Sequence, residues 1–208
     1  MGTLLDLKTR IASDLMRDDL ASQIAGAVSD AIKFYERERF WFNQTRSLTF
    51  DTVAGQVAYG SAANTAIPTI IEIDHLFLPQ GASIYPLDRC EPADFEILEN
   101  GSTGGGKPTA FTYIDKEIRL WPVPNAVWTL RMHAFYRLPY PDDGDTNAWT
   151  DDCEELIRSH AKMNLFLDVL EDNDNASRMQ SKIPVLLSFI RSETTSRMST
   201  GRICGTNF

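Results

Sequence analysis

Apolar residues recur at helical spacing through roughly the first forty positions of the chain. Leu4, Leu7, Ile11 and Leu15 make one stripe, and Leu20, Ile24, Ala27, Val28, Ala31, Ile32 and Tyr35 make a second; both are the one-sided pattern of an amphipathic helix. Thr3 is placed to cap the first helix, and Asp18-Asp19 to end one helix and cap the next, since their oxygens accept orphan N–H groups at the positive end of the dipole. From about Ser47 to Pro139 the pattern turns to strands and turns. "TAFTYI" and "EIRLW" flank Asp115-Lys116, and "VWTLRMHAFYRL" follows the turn "PVPN". In that last run Trp128, Leu130, Met132, Ala134 and Tyr136 share one face and Thr129, Arg131 and His133 the other, as in a half-buried antiparallel strand. "RCEPADFEILEN" reads as one short surface helix with Pro92 in its first turn, and "NGSTGGGKP" as a loop.

Helical spacing then returns. Asp151 and Glu154 have capping-box spacing, and Leu156, Ile157, Met163, Leu167 and Leu170 supply an apolar face. "EDNDN" breaks that helix. A last one, from about Ala176 to Met198, carries Met179, Ile183, Leu186, Leu187 and Ile190, with Pro184 expected to kink it or delay its start. The expected fold class is α+β. N-terminal helices (1–45) and C-terminal helices (150–198) form one bundle, a β-rich lobe (46–139) is inserted between them, and an extended arm (199–208) follows.

Composition adds bounds. The 208 residues are 43% hydrophobic and 24% charged, enough for a sizeable core. Lys and Arg total 20 against 29 Asp and Glu, a formal charge of −9, so free nucleic-acid binding is disfavoured as the main activity because net charge supplies no counterion-release affinity. Cys90, Cys153 and Cys204 form neither a disulfide framework nor a zinc spacing, which suits a reducing compartment. The N-terminus lacks the apolar core of a signal peptide, and no apolar run approaches the ~20 residues of a membrane span.

The candidate chemistry dissolves under the same reading. Glu36 and Glu38, two apart on a helix, would point about 200° from each other, and Glu154 and Glu155 lie in a first helical turn, where acids serve the dipole. His75, His133 and His160 belong to no metal-ligand motif and read as surface or boundary residues. The glycine run before Lys107 lacks phosphate-loop spacing, and Asp142 to Asp145 lacks that of a calcium loop. No catalytic, cofactor or metal site is expected.

What stands out instead is "FYERERFWFN", Phe34 to Asn43, with five aromatics around alternating charges. Tyr35 belongs with the apolar stripe. Phe40, Trp41 and Phe42 are consecutive, so they cannot all face one way; they either cover the join of bundle and sheet or anchor a partner, as aromatics and Arg do in interface hot spots. The tail "RICGTNF" is more apolar than solubility requires, and Arg202, Ile203 and Phe208 are its candidate partner-binding residues.

The segments "GKPTAFTYIDKEIRLWPVPNAVWTLRMHAFYRLP", "DDGDTNAWTDDCEELIRSHAKMNLFL" and "RSETTSRMSTGRI", with the N-terminal "LLDLKTRIASDLMRDDL", resemble the head-to-tail adaptor (neck or tail accessory) proteins of tailed bacteriophages, best known from short-tailed phages. The resemblance implies a virion protein assembled in the host cytoplasm. Copies would form a ring, commonly a dodecamer, beneath the portal protein. The ring would present a platform to a tail hub, nozzle or tail-tube protein, and DNA would pass through its lumen without sequence-specific binding. It also implies a C-terminal arm that reaches the portal. An acidic lumen would avoid sticking to phosphates. Two alternatives stand beside it: a peptidoglycan hydrolase acting during entry, since some related proteins carry that activity, and a glycan- or protein-binding module using Trp121, Trp128 or Tyr136.

Overall fold

A computed structural model of the chain describes residues 2–62, 64–101 and 104–198. The fold is α+β, with helices at both ends and two four-stranded sheets between them in sequence. The chain divides into two compact units, Met1–Phe42 with Pro139–Phe208, and Asn43–Leu138.

The first unit is helical: α1 (Leu4–Leu15), α2 (Ala21–Tyr35), α4 (Glu154–Asp168) and α5 (Asn173–Met198). Thr3 caps α1 in a full capping box. Its hydroxyl accepts from the Asp6 N–H at 3.1 Å, and its own N–H donates to the Asp6 carboxylate at 2.9 Å. Asp18-Asp19 does not cap α2, whose N-cap is Leu20 with no side-chain bond; Arg17 has claimed both Asp19 oxygens, at 2.7 and 2.8 Å. Asp151 does not cap α4 either. A run of turns opens at Asn147, whose carbonyl accepts from the N–H groups of Thr150 and Asp151, and leads into α4 through Cys153. Asp151 therefore lies inside the turn, not at its mouth. α5 begins at Asn173 and continues through Pro184; Asp172, accepting from the Asn175 N–H at 3.0 Å, starts it.

Leu4, Leu7 and Ile11 of α1, Ile24, Val28, Ile32 and Tyr35 of α2, and Leu156, Ile157 and Leu165 of α4 are buried. The apolar face of α4 is not the one its large aliphatics suggest. Ser159, His160 and Ala161 are buried while Leu167 is 47% exposed. His160 Nδ1 sits 2.9 Å from the Tyr35 hydroxyl, so a histidine read as a surface or boundary residue belongs to the core.

The second unit holds β1 (Gln44–Asp51), β2 (Ala58–Tyr59), β3 (Ile70–Gln80), β4 (Ser83–Pro86), β5 (Asp88–Arg89), α3 (Pro92–Gly101), β6 (Ala110–Ile114), β7 (Glu117–Trp121) and β8 (Thr129–Tyr136). One sheet runs β1-β8-β3-β4, the other β2-β7-β6-β5. β6 and β7 form the hairpin expected around Asp115-Lys116, both residues with positive φ, 54° and 64°. β8 leaves its sequence neighbour β7 and lies between β1 and β3. Leu130, Met132 and Ala134 on β8, Ile73, Leu76 and Leu78 on β3, and Phe111, Ile118 and Leu120 on the other sheet join one core. The α3 helix and its Pro92 lie where the sequence puts them.

Candidate interface residues

The stretch from Phe34 to Phe42 begins in the last turn of α2, whose C-cap is Glu36, and closes in a short 3-10 turn over Trp41–Asn43. Helical phase decides its first two rings: Tyr35 is 1% exposed and Phe34, one residue and about 100° away, is 65% exposed. Burial, with a smaller push from the charge of Glu38, drives the Tyr35 hydroxyl up to about 12. Burial holds His160 below its ordinary value, so the pair is neutral at pH 7.

The later rings form a knot. Phe40 is 0% exposed, stacked on Phe42 at 5.3 Å between centroids and edge-on to Trp149 at 6.1 Å; Phe42 also meets Trp149 edge-on at 5.0 Å. Trp41 and Phe42 are half-buried and meet edge-to-face at 5.6 Å. The knot is tied to the last turns of α5. The Trp41 N–H donates to the Thr194 hydroxyl at 3.3 Å, Arg197 lies over the Trp41 ring at 3.8 Å, and Arg191 pairs with both oxygens of Glu38. Of the three candidate aromatics, Phe40 is thus fully buried, while Trp41 and Phe42 keep partial access to solvent. The indole N–H groups of Trp41 and Trp149 are buried with no hydrogen-bond partner among the described residues. Arg202, Ile203 and Phe208 lie outside the described residues, as does the arm expected over 199–208; Ser196 to Met198 are still helical.

Two features have only a weak mark in the sequence. Trp149, 0% exposed, is the keystone of the ring cluster. Val185 and Phe189 of α5 are 53% and 65% exposed. The i, i+4 spacing of that pair, off the main stripe of α5, was the available signal.

The candidate acids Glu38, Glu154 and Glu155 have partners. Glu154 accepts from Arg10 at 2.7 and 2.8 Å, and Glu155 pairs with Lys182 at 2.6 Å, whose hydrogen bond holds that carboxyl below the usual range. Among the described residues no group of three His, Cys, Asp or Glu is gathered as metal ligands, and no helix is long and apolar enough to cross a membrane. In the sheet unit Trp121, Trp128 and Tyr136 are half-buried, and Trp128 packs against the core. A family model described as SU10 adaptor protein matches residues 2–197. No curated protein matches the chain.

Proposed function

The chain belongs to the SU10 adaptor protein family, structural proteins of the bacteriophage particle, and from that premise we propose that its copies close into a ring beneath the portal, most simply a dodecamer, joining it to the tail hub, nozzle or tail tube and continuing the DNA channel. The observation that carries the reading is the match over nearly the whole chain, both units included. A cyclic ring needs two different surfaces per subunit, and the helical unit offers outward apolar side chains for them in Phe34, Val185 and Phe189. Trp41 and Phe42 present their open edges to a neighbour, held in place by Phe40 and Trp149 behind them. Arg202, Ile203 and Phe208 are the contacts that dock on the portal, an Arg and two apolar side chains of the kinds that anchor interfaces. The formal charge of −9 suits a lumen along which DNA slides without adhering. Assembly takes place in the host cytoplasm before the virion is complete.

Sedimentation of the purified chain with and without the phage's portal rings tests the reading. A complex of ring mass is expected with portal present. Removing residues 201–208 should leave the circular dichroism unchanged and abolish retention on the portal. Undiminished binding by the truncated chain would refute the role of the arm, and a chain that stays monomeric under both conditions would refute the ring.

A further inference from the structure

We propose that the outer side of α5 is one half of the joint between neighbouring subunits, and that it seats in the groove between α1 and α2 of the next copy with Phe189 as the knob. The inference rests on the ring reading above and adds the two faces that meet.

Within the helical unit α5 packs mainly on α4, and α4 packs in turn on α2. Ala176, Ile190 and Thr194 face inward. Arg178, Ser181, Val185, Phe189 and Ser192, at steps of three or four, form an exposed stripe. Its centre is apolar, with Phe189 standing proud one turn beyond Val185. A lone exposed Phe is ordinary; a Phe-Val pair in register along a 26-residue helix with a bare outer side is a surface awaiting cover.

A recess of matching character lies elsewhere on the same unit. The groove along α1 and α2 has a volume of about 530 Å³ and is lined by Leu5, Thr9, Ala12, Ala21, Ala25 and Asp18 among others. Ala12, Ala21, Ala25, Ser22 and Thr9 leave room between the larger Leu5 and Ile24, the Lys8–Asp143 ion pair also lines it, and no aromatic is among the lining residues; the volume is within the ~300–1,000 Å³ of pockets that take whole ligands, ample for Phe189 and Val185 together. Knob and groove are different surfaces, so joining them between copies is heterologous, the arrangement that closes rings.

Charge sets the direction. Arg178 on the stripe and Asp18 at the end of the groove form no ion pair among the described residues. Arg178 lies eleven positions from Phe189, about 16 Å along the helix. From Leu5 to the end of α1 is about 15 Å, and Asp18 follows just beyond. Phe189 near Leu5 and Thr9 therefore brings Arg178 to Asp18, with the neighbour's α5 antiparallel to α1. Arg178 has only Asp172, at the start of its own helix, nearby and no ion pair among the described residues, and Asp18 likewise has none, so the match favours this register over its reverse.

The test mixes two copies in a Cys90→Ser, Cys204→Ser background, one carrying Phe189→Cys and the other Thr9→Cys, assembled on portal rings and treated with a short bis-maleimide. A covalent pair should form in the mixture and in neither copy alone. Arg178→Asp should reduce ring assembly at least tenfold, and Asp18→Arg in the same chain should restore it, while circular dichroism and melting temperature stay unchanged at these exposed sites. Normal rings from Phe189→Glu, or rings of the Phe189→Cys and Thr9→Cys mixture that give no cross-link, would overturn the inference and leave the ring standing. Normal Phe189→Glu rings that detach from the portal would overturn it too, by assigning the stripe to the portal. A wild-type chain that never assembles would sink the ring reading itself.

Discussion

Phe40→Ala tests how the aromatic stretch divides its rings between the fold and partners. Phe40 is 0% exposed and touches Phe42 and Trp149 at 5.3 and 6.1 Å. Truncating a fully buried Phe costs about 3–5 kcal/mol in lost transfer energy and cavity. Each of the two ring pairs contributes about 0.5–1.5 kcal/mol of that through its geometry, so Phe40→Leu, which keeps most of the apolar volume, should lose about 1–3 kcal/mol. Trp41→Ala makes the contrast. Its ring is half-buried, and Arg197 over its face contributes about 0.5–1 kcal/mol at an exposed site, so the loss should stay near 1–2 kcal/mol. Against a total stability of about 5–15 kcal/mol, the first change brings the bundle close to unfolding and the second leaves it folded. Urea denaturation followed by the helical circular dichroism signal measures all three. A Phe40→Ala loss below about 1.5 kcal/mol, or a Trp41→Ala loss equal to it, would show that the rings have been assigned to the wrong roles. Trp41→Ala is then the variant to assay for assembly.

Three further outcomes follow from single sites. His160 is held neutral by burial and its folded value lies below the ordinary ~6.5, so its contribution is present above that pH and is lost as pH falls through the folded value; the melting temperature of the wild type should drop more between pH 7.5 and 5.5 (values about the ordinary pKa) than that of His160→Gln, and parallel drops would contradict this. Thr3→Ala removes the hydroxyl arm of the capping box, leaving the backbone N–H on Asp6, and should cost about 1 kcal/mol, read as a lower urea midpoint at unchanged slope. Lys116 has φ 64° in the β6–β7 turn, a conformation that costs a non-glycine residue about 1–2 kcal/mol; glycine returns about half of that as backbone entropy, so Lys116→Gly should stabilise the sheet unit by about 0.5–1 kcal/mol in thermal melts, and a destabilised variant would refute the turn assignment.

Local rules worked where the deciding forces were local. Thr3 and Asp6 lie three residues apart and meet whatever else the chain does, and positive φ at Asp115-Lys116 follows from a two-residue hairpin. They failed where a second partner competed. Asp19 was free to cap α2 until Arg17, two residues away, offered it a full charge and two hydrogen bonds. The α4 face was misread because Ser159, His160 and Ala161 have little apolar signal; His160 is a core residue only because Tyr35, 125 residues earlier, supplies a hydroxyl. Trp149 carried no periodic neighbours in its turn-rich segment, so nothing local marked it as the centre of the ring cluster.

The order of periods along the chain, helical, then alternating, then helical again, determined by itself that this is an α+β protein with helices at both ends, because side-chain spacing records which face of each element must leave water. Pairing between distant elements was left to the tertiary structure. Nothing in β8 states that it inserts between β1 and β3 instead of beside β7, and nothing in "FYERERFWFN" states that Phe40 turns inward while Trp41 and Phe42 keep access to solvent. Alternation tells a residue which side is dry. Which neighbour makes it dry is decided only when segments far apart in sequence compete for the same apolar surface.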